Sequence, residues 1–229
     1  MKRRLLITGS NRGTGRAIAK VFYEAGYQIA SLNRTLSGEE WLGEIQCDLT
    51  NTARLSIACN EALASLGGVD VCILNAAVRR FSYIEQMTDK DWNESLATNL
   101  SSIFFTTRQL IPALRETRGV LVIMGSHAGT HYFEEGVAYC VTKAALKAFA
   151  EVMTMETRSQ GIRTMLVSPG AIRNRSKSDD DKKIQPETIG EIIYALVHCG
   201  ADAIVGEVEI RPSNPLPSPI LGIERLQSI

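Results

Sequence analysis

The chain carries no net charge: its lysines and arginines, 25 in all, are matched by 25 aspartates and glutamates. A balanced surface lacks the electrostatic footprint of a dedicated nucleic-acid binder or of a protein that lies on an anionic membrane. Long apolar runs are missing too. The basic opening Met1-Lys2-Arg3-Arg4 leads into an apolar stretch that stops at Ile7, ahead of Thr8-Gly9. That is too short for a signal peptide, and no later run approaches a membrane span. Paired cysteines are absent: Cys47, Cys59, Cys72, Cys140 and Cys199 are odd in number, scattered and without a Cys-x-x-Cys. This usage predicts free thiols acting as small core fillers and a reducing, cytoplasmic location. Histidine is scarce, and His127, His131 and His198 do not cluster along the sequence with cysteines or carboxylates at metal-ligand spacing. No structural metal is therefore expected.

What is present is an ordinary globular composition, 45% hydrophobic and 22% charged, over 229 residues. That length suits one domain with a real core, spanning 1–229. Apolar runs read as strands at 3–8, 28–32, 45–47, 69–74, 120–124, 162–167 and 204–210. Between them lie helical patterns at 13–25, 51–65, from Thr88 onward, 137–158 and 187–199. Pro112 is expected to bend or end the helix that starts at the capping box Thr88-x-x-Asp91. Alternation of strand and helix along the chain predicts an α/β fold. Its form is a doubly wound parallel sheet of about seven strands, with helices on both faces and ligands at the carboxyl ends of the strands.

The motifs fall at those ends. After the first strand comes Thr8-Gly9-Ser10-Asn11-Arg12-Gly13-Thr14-Gly15. A glycine-rich turn into a helix aims unpaired N–H groups and the positive end of the helix dipole at an anion such as a pyrophosphate. The second strand ends in Asn33-Arg34, where an acid would suit the free ribose hydroxyls of NAD. With no acid there and with Arg12 nearby, guanidinium forks favour the 2′-phosphate of NADP(H), NAD(H) remaining open. Asp48 follows the third strand and has two readings of equal weight, an acceptor for the adenine amino group or the N-cap of the next helix. Asn99 stands in an apolar helical stretch against its propensity, which suggests a specific task such as holding a water or kinking the backbone. Arg79 and Arg80 could meet an acidic group, although paired loop arginines are more commonly solvated.

Ser126 stands just past the apolar run Val120–Met124, and Tyr139 and Lys143 are one helical turn apart on one face. A cation beside a phenol lowers its pKa, so Tyr139 can exchange a proton with a carbonyl or alcohol oxygen while Ser126 holds that oxygen. Alone, a Tyr-x-x-x-Lys spacing also fits two solvent-facing side chains; the company of the other motifs decides for chemistry. The polar segment 173–185 reads as a mobile loop over the mouth, and the proline-rich tail 212–229 as a segment that packs on a partner subunit.

Taken together, Thr8-Gly-x-x-x-Gly13-x-Gly15, Asp48-Leu49, Asn75-Ala76-Ala77, Asn99, Ser126, Tyr139-x-x-x-Lys143 and Pro169-Gly170 resemble the short-chain dehydrogenase/reductase family over nearly the whole chain. Asn75 to Leu110 is most similar to the 3-oxoacyl-carrier-protein reductases. The resemblance implies a Rossmann fold and an oxidoreductase acting on a small carbonyl or secondary alcohol. Tyr139 would be the general acid/base, and Lys143 the group that binds the nicotinamide ribose and lowers the tyrosine pKa. Ser126 would anchor the substrate oxygen, and Asn99 would hold a relay water. Gly9, Ser10, Asn11, Arg12, Gly13, Gly15, Asn33, Arg34, Asp48, Leu49, Asn75, Ala76, Ala77, Pro169, Gly170 and Ile172 would form the cofactor site. It further implies a homo-oligomer, tetramer or dimer, built through 88–115 and 137–158, with Phe104, Phe105, Leu146, Phe149 and Val152 either at that contact or facing the sheet.

Three departures from the family stand out. Ala77 replaces a glycine, which is tolerable where φ is negative. Asn174 replaces a threonine that contacts the cofactor. The lid region is short and hydrophilic, which disfavours steroid-sized substrates. Two other functions share these residues, a dinucleotide-binding sensor without turnover and an isomerase or dehydratase using the same Tyr and Lys.

Overall fold

The computed structural model describes residues 2–173 and 182–214. Strand β1 (Arg4–Thr8), helix α1 (Gly13–Glu24), β2 (Gln28–Asn33), β3 (Glu44–Gln46), α2 (Thr52–Leu66) and β4 (Val71–Leu74) make the first half. Helices α3 (Asp89–Leu96) and α4 (Ser102–Thr117), β5 (Val120–Met124), α5 (Val137–Thr157), β6 (Arg163–Pro169), α6 (Pro186–Val197) and β7 (Glu207–Ile210) follow. All seven strands form one parallel sheet in the order β3-β2-β1-β4-β5-β6-β7. The expected doubly wound sheet is the one observed.

Alternation along each strand sorts the core into two layers. Leu5 and Ile7 face Ile18 and Phe22 of α1 and Ile189 and Ile193 of α6. Leu6, between them, faces the opposite layer with Leu55 of α2, Leu110 and Leu114 of α4 and Leu146 of α5. These side chains are almost wholly buried, each stabilising the fold by about 1.5–3 kcal/mol. Helices α1 and α6 approach closely because residue 190 is glycine: a Cβ there would come within 2.9 Å of Val21 and 3.2 Å of the Ile18 backbone. Across the β1–β4 seam, Arg4 donates from its backbone N–H and its guanidinium to the Asp70 carboxylate at 2.8–2.9 Å. That pairing holds the Asp70 carboxyl below the usual carboxylate range.

The chain runs from β1 outward to β3, then returns and builds outward from β4 in the other direction. A crevice therefore opens at the carboxyl ends of β1 and β4. Thr8 is in register with Leu74, so Gly9 and Asn75 emerge side by side into it.

Several expectations are revised. Pro112 does not end its helix, since α4 continues to Thr117. The irregularity sits earlier, where Ala97–Ser101 widens into a single π-helical turn around Asn99. The N-cap of α2 is Asn51, whose side chain accepts from the Arg54 N–H at 3.0 Å, and not Asp48. Asp48 instead accepts from the N–H and hydroxyl of Thr50, which lowers its carboxyl pKa. Asn174 and most of the 173–185 loop lie outside the described residues, as does the tail beyond 214. Among the described residues no helix is long and apolar enough to cross a membrane.

Candidate active site

The turn after β1 is shaped by its glycines. Gly9 adopts φ +68° and Gly13 φ +57°, conformations that side-chain-bearing residues avoid. Gly15 is there for space: a Cβ would fall 2.2 Å from the Gly9 carbonyl oxygen and 2.5 Å from Asn75 Nδ2. Asn75 donates that Nδ2 to the carbonyls of Thr8 and Gly9 at 3.1 and 2.9 Å, while the Thr8 hydroxyl accepts from the N–H groups of Asn75 and Ala76. Ser10 is tied down by Asn33, whose Oδ1 accepts from the Ser10 N–H at 2.9 Å. The other end of Asn33 donates to Glu44 at 2.7 Å. The buried Asn33 thus fixes the loop to the end of β2.

Arg12 is the N-cap of α1 yet offers no side-chain cap, and the first turn holds no acid. The opening N–H groups of α1 are left to meet an external anion. This donor set, with open space around Gly13, fits the pyrophosphate of a dinucleotide. Asn11 and Arg12 flank it. Arg34 is exposed just beyond β2, its guanidinium 3.6 Å from Glu94. Leu49 sends its side chain into the core. Ala77 has no positive φ, so its methyl costs no backbone strain. Gly170 donates its N–H to Ile210 at 2.7 Å, anchoring the Pro169-Gly170 turn. Ile172 pairs with Ile184 through the backbone of Ala171 and Arg173, which takes neither polar backbone group of Ile172 itself.

Four catalytic candidates meet at the carboxyl ends of β4 and β5. Tyr139 and Lys143, on the first turns of α5, are both buried. Lys143 Nζ donates to the Met124 carbonyl at 2.6 Å and lies 5.8 Å from the centre of the Tyr139 ring. Ser126 caps the short turn after β5, its hydroxyl accepting from the Ala128 N–H at 3.1 Å. Burial opposes ionisation of the Tyr139 hydroxyl. The Lys143 ammonium, the Arg79 guanidinium and the Ser126 hydroxyl outweigh it and bring the phenol below its ordinary pKa. Burial also depresses the Lys143 pKa, with Tyr139 pulling the other way and Arg79 adding to the depression. Asn99 is fully enclosed: its Oδ1 accepts from the Val78 N–H at 2.8 Å, and its Nδ2 donates to the Val78 carbonyl at 2.9 Å and to Thr142 at 3.3 Å. The π turn makes room for that clamp.

Arg79, which by sequence could either meet an acidic group or simply be solvated, stands beside Tyr139. No spacing rule joins it to Tyr139, sixty positions on; the signal is purely spatial, with its ζ carbon 5.9 Å from the centre of the Tyr139 ring. Phe81 and Phe133 were missed for the same reason. Phe81 packs edge-on against both Tyr139 and Phe133, at 5.8 and 5.5 Å between ring centres. Phe133 also lines a largely apolar cavity of about 550 Å³ with Tyr83, Ile84, Tyr132 and Val141.

Two histidines meet in space a carboxylate that is far from them in sequence. His127 and His131 stack at 3.8 Å, and Glu209 from β7 joins them, their ligand-type atoms all within 4.8 Å of one another. Arg211 lies 2.5 Å from Glu209 and 3.5 Å from His131, so a guanidinium already serves as the cation there.

The model of the short chain dehydrogenase family matches residues 3–185. The 3-oxoacyl-(acyl-carrier-protein) reductase FabG of Escherichia coli is 30% identical over 189 residues, covering 77% of this chain and 78% of its own. Among solved structures, an alcohol dehydrogenase from Thermococcus sibiricus complexed with 5-hydroxy-NADP superposes with a TM-score of 0.87 at 22% identity, covering 96% of this chain and 100% of its own. A 3-ketoacyl-(acyl-carrier-protein) reductase from Brucella melitensis complexed with NADH gives 0.85 at 20%, covering 92% and 97%. With the glycine loop, the Asn75 anchor and the Ser126–Tyr139–Lys143 group gathered in one crevice, the chain belongs to the short-chain dehydrogenase family.

Proposed function

We propose that this protein is an NADP(H)-dependent reductase of a small carbonyl compound, working in reverse as an alcohol dehydrogenase. The observation that carries this reading is the enclosed Tyr139 hydroxyl, held below its ordinary pKa by Lys143, Arg79 and Ser126. A phenol so placed can give a proton to an alkoxide oxygen or take one from an alcohol near neutral pH. Ser126 orients that oxygen, and Lys143 favours the phenolate and holds the nicotinamide ribose. The bound dinucleotide supplies or receives the hydride.

The glycine turn Gly9–Gly15, with Ser10, Asn11 and Arg12, cradles the pyrophosphate. Asn75, Ala76 and Ala77 form the wall beside it, and the Asp48-Leu49 corner meets the adenine. Pro169, Gly170 and Ile172 border the nicotinamide, the backbone groups of Ile172 being turned away from the Ile184 bridge. Asn99 spends its side chain on Val78 and Thr142, so a relay water at this turn rests on main-chain groups of the π turn. Preference for NADP(H) over NAD(H) draws support from Arg12 and Arg34, both exposed, and from Asn33, which gives no carboxylate to the ribose edge. Phe104 and Val152 point outward on α4 and α5, as subunit contacts of a homo-oligomer would; Leu146 is core.

The test is Tyr139→Phe, assayed by NADPH oxidation over a panel of ketones and aldehydes and by NADPH fluorescence titration. Turnover falls by at least about 100-fold, while NADPH still binds. Wild-type turnover in that variant refutes the mechanism.

A further inference from the structure

The adjacent arginines of the loop after β4 have opposite fates. Arg80 is consumed by the scaffold: it reaches Glu94 at 2.6 and 2.9 Å and Asp91 at 3.2 Å. Among the described residues Arg79 pairs with no carboxylate, and it turns instead toward Tyr139.

Its position is held from both sides. Val78, just before it, is clamped through its N–H and its carbonyl by Asn99. Phe81, two residues on, is wedged against Tyr139 and Phe133. With the backbone fixed at both flanks, only the side chain of Arg79 has to order when it binds a ligand.

The charge around the catalytic hydroxyl is also unbalanced. Among the described residues Lys143 and Arg79 are the charged groups acting on Tyr139, both are cations, and Arg79 disfavours the charge on Lys143. A site with two cations and, among the described residues, no acid acting on its hydroxyl gains most from an anion brought by the ligand. The guanidinium fork matches the two oxygens of a carboxylate. A guanidinium whose ζ carbon lies 5.9 Å from the centre of the Tyr139 ring reaches only groups a few bonds from the carbonyl oxygen that this residue serves.

We propose that Arg79 anchors a carboxylate on the substrate, and that the site takes 2- or 3-oxo acids and the corresponding hydroxy acids. This rests on the carbonyl-reductase reading above and narrows it to a substrate class. Arg79 is then a specificity-determining residue.

The experiment compares 2- and 3-oxo acids with their own methyl esters as substrates of the 229-residue protein, using NADPH oxidation, for wild type, Arg79→Gln and Arg79→Lys. Wild type favours the acids. Arg79→Gln loses about 10- to 100-fold in kcat/KM on the acids and only a few-fold on the esters, and Arg79→Lys recovers part of the loss. NADPH affinity is unchanged in both variants, which separates a substrate anion from a cofactor phosphate. Equal losses on acid and ester would mean that Arg79 acts only through Tyr139 and would overturn the proposal, as would esters outperforming acids in wild type. Reduction of neutral ketones with no oxo acid turned over overturns it while leaving the reductase reading intact. No turnover of any carbonyl compound overturns both.

Discussion

Gly15→Ala separates packing from conformation within the nucleotide loop. Gly15 does not have a positive φ, so alanine fits its backbone. Only space forbids it, because the new Cβ would lie 2.2 Å from the Gly9 oxygen and 2.5 Å from Asn75 Nδ2. Ordinary contacts between carbon and its neighbours lie near ~3.5 Å, so the loop must open by about 1 Å against the hydrogen bonds that Asn75 makes to Thr8 and Gly9. Overpacking of this kind costs about 1–3 kcal/mol, or roughly 2–12 °C in Tm for a chain of this size. The loop's N–H groups move with it, and NADPH affinity falls by at least about 10-fold, since a displacement of roughly 1 Å can cost 100-fold in a precisely placed site.

Gly26→Ala is the control. Gly26 has φ +88° with nothing within 4 Å of a built Cβ, and it sits in the turn between α1 and β2, outside the crevice. Its methyl adds about 1–2 kcal/mol of left-handed strain and a comparable fall in Tm. Thermal melts and NADPH fluorescence titrations are run on both variants. Gly15→Ala loses stability and affinity, Gly26→Ala stability alone. Undiminished NADPH affinity in Gly15→Ala, or the same affinity loss in both, refutes the reasoning that this close approach builds the cradle.

Arg34→Ala is expected to weaken NADPH more than NADH, read as the ratio of their dissociation constants; an unchanged ratio removes Arg34 from 2′-phosphate recognition. Asp70→Asn tests the β1–β4 seam. Its folded carboxyl pKa is depressed, chiefly by the hydrogen bond from Arg4, so its stabilisation is present above the unfolded carboxylate pKa and disappears as pH falls through the folded one. The variant loses about 1–2 kcal/mol near pH 7 after discounting for partial exposure, and the gap from wild type closes on acidification. A gap that persists unchanged in acid would show that the carboxylate's charge is not what matters.

How much of this was legible beforehand follows from what each residue answers to. Leu5, Leu6 and Ile7 alternate between two cores, and that period is written locally. Gly13 and the Tyr139–Lys143 pair need only a turn and a helical repeat to be recognised, so the site could be placed at the strand ends. Strand limits moved by one to three residues, as at β3 and β7, because backbone pairing with a neighbour sets them. Asp48 and Asn51 are both competent N-caps three residues apart, and only the path of the chain between β3 and α2 chose Asn51. Pro112 is carried inside α4, which runs on to Thr117 with Leu110 and Leu114 on either side of it packed into the core.

The amino-acid order alone determined the alternation of strand and helix, the glycine turn and the face that Tyr139 and Lys143 share, because each depends on contacts a few residues apart. Only the tertiary structure decided that Arg80 spends its charge on Glu94 while Arg79 turns to the Tyr139 ring, and that Glu209 joins His127 and His131 with Arg211 among them. Those pairings span gaps of up to 82 residues in the chain, from His127 to Glu209, and no local periodicity encodes which side chains a folded sheet brings within a few ångströms of one another.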